Sequence, residues 1–171
     1  MKRDENTRYL RKLYGKTYPI MLRYGLKLVG DRAHVEDTIQ SLFLQFIEKG
    51  LDIQEHPAPD AYVLKSFRRE LLRSNQNRLK KIGTSMGEIE FSPEDFMIQD
   101  EESGIQKAQI VELLNTLTSR QKEIILLHYF ESKSYQEIAD LLDVNYQSVL
   151  NNLQRSFQKI RKAFPEGLPR W

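Results

Sequence analysis

Apolar residues recur at intervals of three and four along most of this 171-residue chain, and no stretch shows the sustained alternation of a strand. In residues 32–49 this spacing gives one stripe, made of Val35, Ile39, Leu42, Phe43, Phe46 and Ile47. A stripe with this period is typical of a helix that buries one face. The sequence therefore predicts an all-α fold.

Three helices are predicted in the first half of the chain, over residues 5–29, 32–49 and 60–78. Gly15 and Pro19 lie inside the first of these stretches. Proline removes a helical hydrogen bond and its ring crowds the preceding turn. We therefore expect the first stretch to be broken or kinked.

Four more helices are predicted in the second half of the chain, over 105–115, 119–131, 134–142 and 145–164. Two of them begin with capping-box patterns, Thr-Ser-Arg-Gln at 118–121 and Ser-Tyr-Gln-Glu at 134–137. In the first half, Asp31 is a candidate N-cap for the second helix and Gly50 is its candidate stop.

The charge changes sign twice along the chain. Residues 1–80 contain 16 Lys and Arg against 10 Asp and Glu, residues 81–104 contain 1 against 7, and residues 105–171 contain 9 against 7. The acidic stretch also has three glycines and a proline, and it lacks helical spacing. The sequence predicts two helical domains, 1–79 and 105–171, joined by an acidic linker over 80–104.

Residues 134–154, SYQEIADLLDVNYQSVLNNLQ, predict a short helix, a tight turn and a longer helix. Helical period places the following residues on the inner faces: Ile138, Leu141, Leu142, Val149, Leu153, Phe157 and Ile160. Ala139 is small where the two helices would cross. Asp143 is predicted to adopt the left-handed conformation that the turn needs, because Asp tolerates it better than most residues. Together these features predict a helix-turn-helix.

The outward face of the second helix in this motif is rich in amides. Gln147, Asn151 and Arg155 have side chains that can pair with adenine or guanine in the major groove. Ser148 and Tyr146 lie near the helix N-terminus, where their hydroxyls can hold phosphate. A helical hairpin with an ordinary polar surface is the competing interpretation. The caps, the turn and the amide-rich face together favour DNA binding.

Two polar faces stand out in the first domain. Glu36, Asp37 and Gln40 lie beside the apolar stripe of residues 32–49, and taken alone they are typical of a solvated helix face. The helix at 60–78 carries a basic side with a nearby amide: Lys65, Arg68, Arg69, Arg73 and Asn75. Cations along a helix favour a phosphate backbone as partner. Tyr62 and Phe67 could stack on unpaired bases, although core positions are more typical of both.

Several classes of function are disfavoured. The chain has no Cys, so disulfides and thiolate metal sites are excluded, and its three His show no ligand spacing. No phosphate-cradling glycine loop, metalloprotease motif or nucleophile with a nearby base is present, so no catalytic residue, cofactor or metal is predicted. No apolar run reaches the roughly 20 residues of a membrane span, and the N-terminus lacks a signal's apolar core. A cytoplasmic protein is expected.

The two halves resemble one known family. The run LTSRQKEIILLHYFESKSYQEIADLLDVNYQSVLNNLQRSFQKIRK resembles region four of bacterial sigma factors. DRAHVEDTIQSLFLQFIEK, followed by AYVLKSFRRELLR, is similar to region two. With these two regions and a short linker, the chain resembles an extracytoplasmic-function (ECF) sigma factor.

The resemblance implies a division of labour. Region two would bind the clamp of core RNA polymerase through Glu36, Asp37 and Gln40. Its basic helix would contact the downstream promoter element, including melted single strands. Region four would read the upstream element as duplex. The resemblance also implies an anti-sigma partner, and a monomer is the simplest free state. The alternative from a different class is a regulator that binds operator DNA without polymerase, but no extra dimerisation helix is evident.

Overall fold

The order of the helices follows from where the apolar stripes, caps and left-handed residues lie. The structure is a computed structural model that describes the backbone of residues 2–83, 88–96 and 104–164. Within those ranges it has seven α-helices and no strand, which confirms the all-α prediction. We name them α1 Lys2–Val29, α2 Arg32–Glu48, α3 Pro59–Ile82, α4 Gly104–Asn115, α5 Ser119–Ile125, α6 Tyr135–Leu142 and α7 Tyr146–Ala163.

The chain forms two compact units, Met1–Glu88 and Ile89–Trp171. In unit 1, helices α1, α2 and α3 pack against one another around a shared apolar core. Its fully buried large side chains come from all three helices: Leu10, Met21, Tyr24, Val35, Ile39, Val63, Phe67 and Leu71. Each helix therefore contributes one stripe, as the spacing predicts.

The predicted break in the first helix is wrong, because α1 runs without interruption and contains Pro19. Leu13 and Met21, on either side of the proline, are both buried in the same core. Fully burying a large apolar side chain contributes about 1.5–3 kcal/mol, so a few of them offset the cost of about 3 kcal/mol for an interior proline. Pro19 and Gly15 are exposed, so water can reach the backbone carbonyl that loses its helical partner.

Helix α2 begins and ends where its sequence indicates. The Asp31 carboxylate accepts a hydrogen bond from the backbone N–H of His34 at 3.0 Å, which confirms the N-cap. The chain leaves the helix through Gly50, whose φ of +59° is in the left-handed region. One member of the predicted stripe, Ile47, is only half-buried, and Thr38 is buried instead. The Thr38 hydroxyl can be buried because it donates to the His34 carbonyl at 2.7 Å.

Helix α3 is one turn longer than predicted. It continues to Ile82 and ends at Gly83, which has a φ of +71°. The three residues at 80–82 therefore belong to α3, although the sequence places them in the linker.

Within the described ranges, no helix is both long and apolar enough to cross a bilayer.

Unit 2 contains α4 to α7. The predicted helix over 119–131 is α5 followed by a short π-helix, Leu126–Phe130. Both predicted capping boxes are confirmed, at Thr118 with Gln121 and at Ser134 with Glu137. The apolar core of unit 2 includes Leu114, Ile124, Leu127, Ile138, Val149 and Leu153. The domain boundaries at 79 and 105, with their assigned roles, stay predictions.

Two glycines of α1 give a matched stability test. A Cβ at Gly25 would lie 2.7 Å from Val35 Cγ1 and 2.9 Å from Phe67 Cζ, whereas a Cβ at Gly15 would meet nothing within 4 Å. We expect Gly25→Ala to lower the free energy of unfolding by about 1–3 kcal/mol through overpacking. Gly15→Ala should raise it by roughly 0.5–1 kcal/mol through helix propensity. Urea denaturation measures both, and a stabilised Gly25→Ala variant would contradict the packing.

Candidate nucleic-acid interface

The helix-turn-helix is built by local hydrogen bonds on both sides of a left-handed residue. Asp143 has φ 52° and ψ 47°, as predicted, and the following Val144 N–H donates to the Ala139 carbonyl at 3.0 Å. Asn145 then caps α7, because its Oδ1 accepts the Ser148 backbone N–H at 2.7 Å. The direction of α7 relative to α6 is thus set within a few residues.

Burial fixes which face of α7 is outward. Val149, Leu153 and Ile160 are buried as predicted, but Phe157 is only half-buried. Ser156 is fully buried, and its hydroxyl donates to the Asn152 carbonyl at 2.8 Å. Sequence reasoning missed Ser156 because it is polar, although its position between 153 and 160 continues the buried stripe.

The predicted duplex-reading residues share the outward face. Tyr146, Gln147, Asn151 and Arg155 are exposed, and Ser148 is half-buried. Gln147 Nε2 donates to Asn151 Oδ1 at 3.0 Å, one turn further along the helix. Each amide keeps polar atoms outside this bond, so the pair presents both donors and acceptors to solvent. The structure therefore brings together the residue types that read base edges.

An aromatic row joins the π-helix to this motif. The ring centroids of His128 and Tyr135 are 4.6 Å apart, and those of Tyr135 and Tyr146 are 6.3 Å apart. His128 Nδ1 lies 2.8 Å from the Lys133 carbonyl oxygen, which holds the ring in place. Tyr146 therefore begins α7 with its ring beside that of Tyr135, and the residue is exposed.

The acidic face of unit 1 is divided. Asp37 and Gln40 are exposed on α2, as predicted. Glu36 is half-buried, and its Oε1 accepts from Arg32 Nε at 2.9 Å and from the Tyr18 hydroxyl at 3.1 Å. Glu36 therefore helps to hold α1 against α2, and it has less capacity for a partner than Asp37.

The basic side of α3 is also divided. Arg69 is exposed, whereas Arg68 Nε donates to the Tyr24 hydroxyl at 3.1 Å. The Arg73 guanidinium donates to both carboxylate oxygens of Glu70 at 2.9 Å. Lys65 is half-buried on the same helix. This side of α3 is cationic, but part of its charge is engaged within unit 1, by Tyr24 and Glu70.

Asn75 does not lie on this surface, so its place among the DNA-contacting side chains is corrected. Its side chain is only 2% exposed, and its Oδ1 accepts from Arg78 Nη2 at 3.1 Å. Arg78 Nη1 also donates to Asp31 Oδ2 at 2.6 Å, and Ser74 Oγ lies 3.1 Å from His34 Nε2. These bonds tie the start of α2 to the last turns of α3. The helical period could have shown this, because it places position 75 on the same face of α3 as the buried Phe67 and Leu71.

Comparison with known proteins agrees with this geometry. A family model described as sigma-70, region 4, matches residues 107–160, which include α6, the turn and all but the last three residues of α7. The chain is 25% identical to RNA polymerase sigma-E factor of Streptomyces coelicolor over 83% of this chain and 78% of that protein. It is 23% identical to ECF RNA polymerase sigma factor SigL of Mycobacterium tuberculosis over 92% and 89% of the two chains.

The chain is thus similar to ECF sigma factors over most of its length. These matches bear out the resemblance that the sequence carries. The positive control factor of Bacillus subtilis is 35% identical, but over only 44% of this chain and 42% of that protein. The similarity to sigma-E and SigL extends across both units, so it covers more than the helix-turn-helix.

Two solved structures share the fold of this chain. The sigma factor RpoE of Bartonella quintana, solved with the anti-sigma factor NepR, superimposes with a TM-score of 0.60 at 14% identity. That match covers 91% of this chain and 96% of the other. CnrH, solved with the cytosolic domain of CnrY, gives a TM-score of 0.57 at 13% identity, over 96% and 93% of the two chains.

The burial and charged surroundings of His34 predict a pH dependence of the stability of unit 1. Burial and the nearby Arg78 guanidinium lower the pKa of His34, although Asp31 and Asp37 oppose them. Because the unfolded chain then binds the proton more readily, stability is present above about pH 6.5 and is lost as the pH falls below it. We expect the melting temperature of unit 1 to be lower at pH 5.5 than at pH 7.5.

The matched variant is His34→Gln, which can keep a hydrogen bond to Ser74 but does not titrate. Its melting temperature should change less over the same interval, while His56 and His128 are present in both proteins. An equal decrease in the two proteins would show that another group is responsible.

Proposed function

We propose that this protein is a sigma factor, which binds core RNA polymerase and directs it to specific promoters. The observation that carries the proposal is a helix-turn-helix with an outward face of amides and arginine, within a chain whose similarity to sigma factors covers both units. The protein acts by binding, and its partners do the chemistry. Its place of action is the cytoplasm, where polymerase and promoter DNA meet.

Unit 2 reads the upstream promoter element as duplex. Helix α7 enters the major groove with its N-terminal residues against base edges. Gln147, Asn151 and Arg155 supply the base contacts, and Tyr146 and Ser148 contact phosphate at the helix start. Gln147, Asn151 and Arg155 are all exposed, which supports the assignment of the base contacts to them.

Unit 1 binds polymerase and the downstream element. Asp37 and Gln40, both exposed on α2, contact basic side chains of the polymerase clamp, and Glu36 orients Arg32 beside them. Lys65, Arg68, Arg69 and Arg73 attract the backbone of the melted strand from α3. Among these four, Arg69 is the strongest candidate for a direct phosphate contact, because it is exposed and Arg73, also exposed, is bound to Glu70.

An anti-sigma protein is the proposed regulator. One solved structure that shares this fold contains such a partner, the anti-sigma factor NepR with RpoE, and a second contains CnrH with the cytosolic domain of CnrY. In the free state we propose a monomer. No cofactor is required by a protein that works through DNA and protein contacts alone.

A regulator that binds operator DNA without polymerase is the alternative. The match to the positive control factor is compatible with it, but that match covers less than half of each chain. Run-off transcription separates the two functions. Purified protein is mixed with bacterial core polymerase and sheared genomic DNA from the source organism. New transcripts that require both proteins are expected, whereas tight DNA binding without any transcript would support the regulator.

Reversing the charge of Asp37 tests the polymerase contact. Asp37→Lys should reduce capture of core polymerase, because a lysine would repel the basic side chains that Asp37 attracts. The control is Asp52→Lys, an equal charge change at an exposed position of unit 1 outside α2. A pull-down with equal recovery for Asp37→Lys and wild type, with the fold intact by circular dichroism, would refute the contact.

Truncating Gln147 tests base reading. Gln147→Ala should relax selection at one or two upstream base pairs, with a loss of about 1–3 kcal/mol for the preferred base. Gln136→Ala is the control, because Gln136 makes a similar bond, to Asp140 at 3.0 Å, but lies on α6. Transcription from a promoter library randomised upstream gives the preferences. An unchanged base preference in Gln147→Ala would remove this residue from the reading face.

A further inference from the structure

One leucine of α7 lies away from the buried face of that helix. The residues that α7 buries are Val149, Leu153, Ser156 and Ile160, whereas Leu150 is only half-buried. Since successive residues of a helix are about 100° apart, Leu150 lies about 90° around α7 from the middle of the buried face. It therefore belongs to the edge of the outward face, and the buried stripe is continuous without it.

The neighbours of Leu150 on the outward face are amides. Gln154 lies about 40° and Gln147 about 60° around the helix from Leu150, one turn away in either direction. Residues three and four apart are neighbours on a helix surface. Both amides are exposed. An apolar side chain thus lies between two side chains of the type that reads base edges.

Leu150 also lines a groove along α7. Leu150, Leu153 and Phe157 give this groove an apolar lining, and the exposed side chains of Gln154 and Arg161 border it. Its volume of about 320 Å³ is at the lower end of the range for ligand pockets, and its border is exposed. An edge of a larger partner therefore fits it better than an enclosed small molecule.

The charge of α7 favours a nucleic acid as that partner. The helix carries four cationic side chains, Arg155, Lys159, Arg161 and Lys162, and its sequence contains no Asp or Glu. All four are exposed. Cations in this arrangement attract a phosphate backbone, whereas an apolar protein surface has no groups to pair with them.

The apolar group that the major groove offers is the C5-methyl group of thymine, beside the O4 acceptor. The other bases present hydrogen-bonding groups there: N7 and O6 of guanine, N7 and the amino group of adenine, and the amino group of cytosine. A leucine side chain has no hydrogen-bonding group, so a purine edge placed against it would lose water without gaining a partner. A thymine methyl group placed there buries apolar surface on both sides of the contact.

We propose that Leu150 contacts the C5-methyl group of a thymine in the upstream element and thereby selects thymine at that base pair. This assignment rests on the proposed function, in which α7 enters the major groove. Side chains one turn apart on a helix have Cβ atoms about 5–6 Å apart, and successive base pairs are about 3.4 Å apart along the DNA. The thymine is therefore expected within about two base pairs of the one that Gln147 reads.

Deoxyuridine tests the contact directly, because uracil pairs as thymine does but lacks the methyl group. Holoenzyme assembled from the full chain and bacterial core polymerase is bound to promoter fragments in which each thymine of the upstream element is replaced singly. One replacement should weaken binding by the wild type about threefold to fourfold, as expected for one buried methyl group. In Leu150→Ala the same replacement should have no measurable effect, because the apolar partner is missing.

Leu113→Ala is the matched control, because Leu113 is also a half-buried leucine of unit 2 but lies on α4. It should keep the full response to uracil. Two further variants keep the length of the side chain, so they serve if truncation unfolds unit 2. Leu150→Met should retain the response, since methionine is apolar, and Leu150→Gln should lose it. Circular dichroism compares the helical content of all four variants with the wild type.

The outcomes separate this assignment from the proposed function. If the wild type neither binds promoter DNA nor transcribes it with core polymerase, the proposed function fails. If the wild type is active but its upstream element has no preferred thymine, or uracil has no effect at any of them, the thymine contact is overturned. An equal response in wild type and Leu150→Ala overturns it too, because the methyl group then contacts another residue. If Leu150→Ala also captures less core polymerase, that equal response would assign the groove to a protein partner.

Discussion

The left-handed turn at Asp143 is the constraint on which the DNA-binding unit depends. Its φ of 52° ends α6, and the Val144 N–H then donates to the carbonyl of the buried Ala139. Asn145 caps α7 only two residues later, so the turn fixes the direction of that helix. The buried stripe of α7 follows from this direction, and so does the exposure of Gln147. A change in the turn would move the outward face of α7 as a whole.

Unit 1 depends on a comparable junction made of polar groups. Asp31 caps α2 and also pairs with Arg78, so one carboxylate both starts a helix and holds it to α3. The nearby hydrogen bond between His34 and Ser74 makes a second tie between the same helices. The helix proposed to contact polymerase is therefore fixed against the helix proposed to contact DNA. Removing the Asp31 carboxylate should disturb both surfaces, because the cap of α2 and the bond to α3 would be lost together.

Most of the helical layout could be predicted from the sequence, because period, caps and left-handed residues are local signals. The capping boxes at Thr118 and Ser134 are local in this sense, and both are present. The continuity of α1 could not be predicted, because burial on both sides of Pro19 outweighs the local penalty. The candidate site divides in the same way. The face of α7 follows from period alone, whereas the engagement of Glu36 by Tyr18 depends on a residue 18 positions away.

The sequence by itself determined the fold class, the helix-turn-helix and the family resemblance, since each is carried by residues close together in the chain. Tertiary structure decided which polar side chains are available to partners. It buries Asn75 beneath Arg78, pairs Arg73 with Glu70 and leaves Arg69 exposed, although all three appear as one polar series in the sequence. It also decided that part of the acidic linker belongs to unit 2. The Asn115 side-chain amide and the Phe91 backbone are 24 residues apart in the sequence, and only folding brings them into contact.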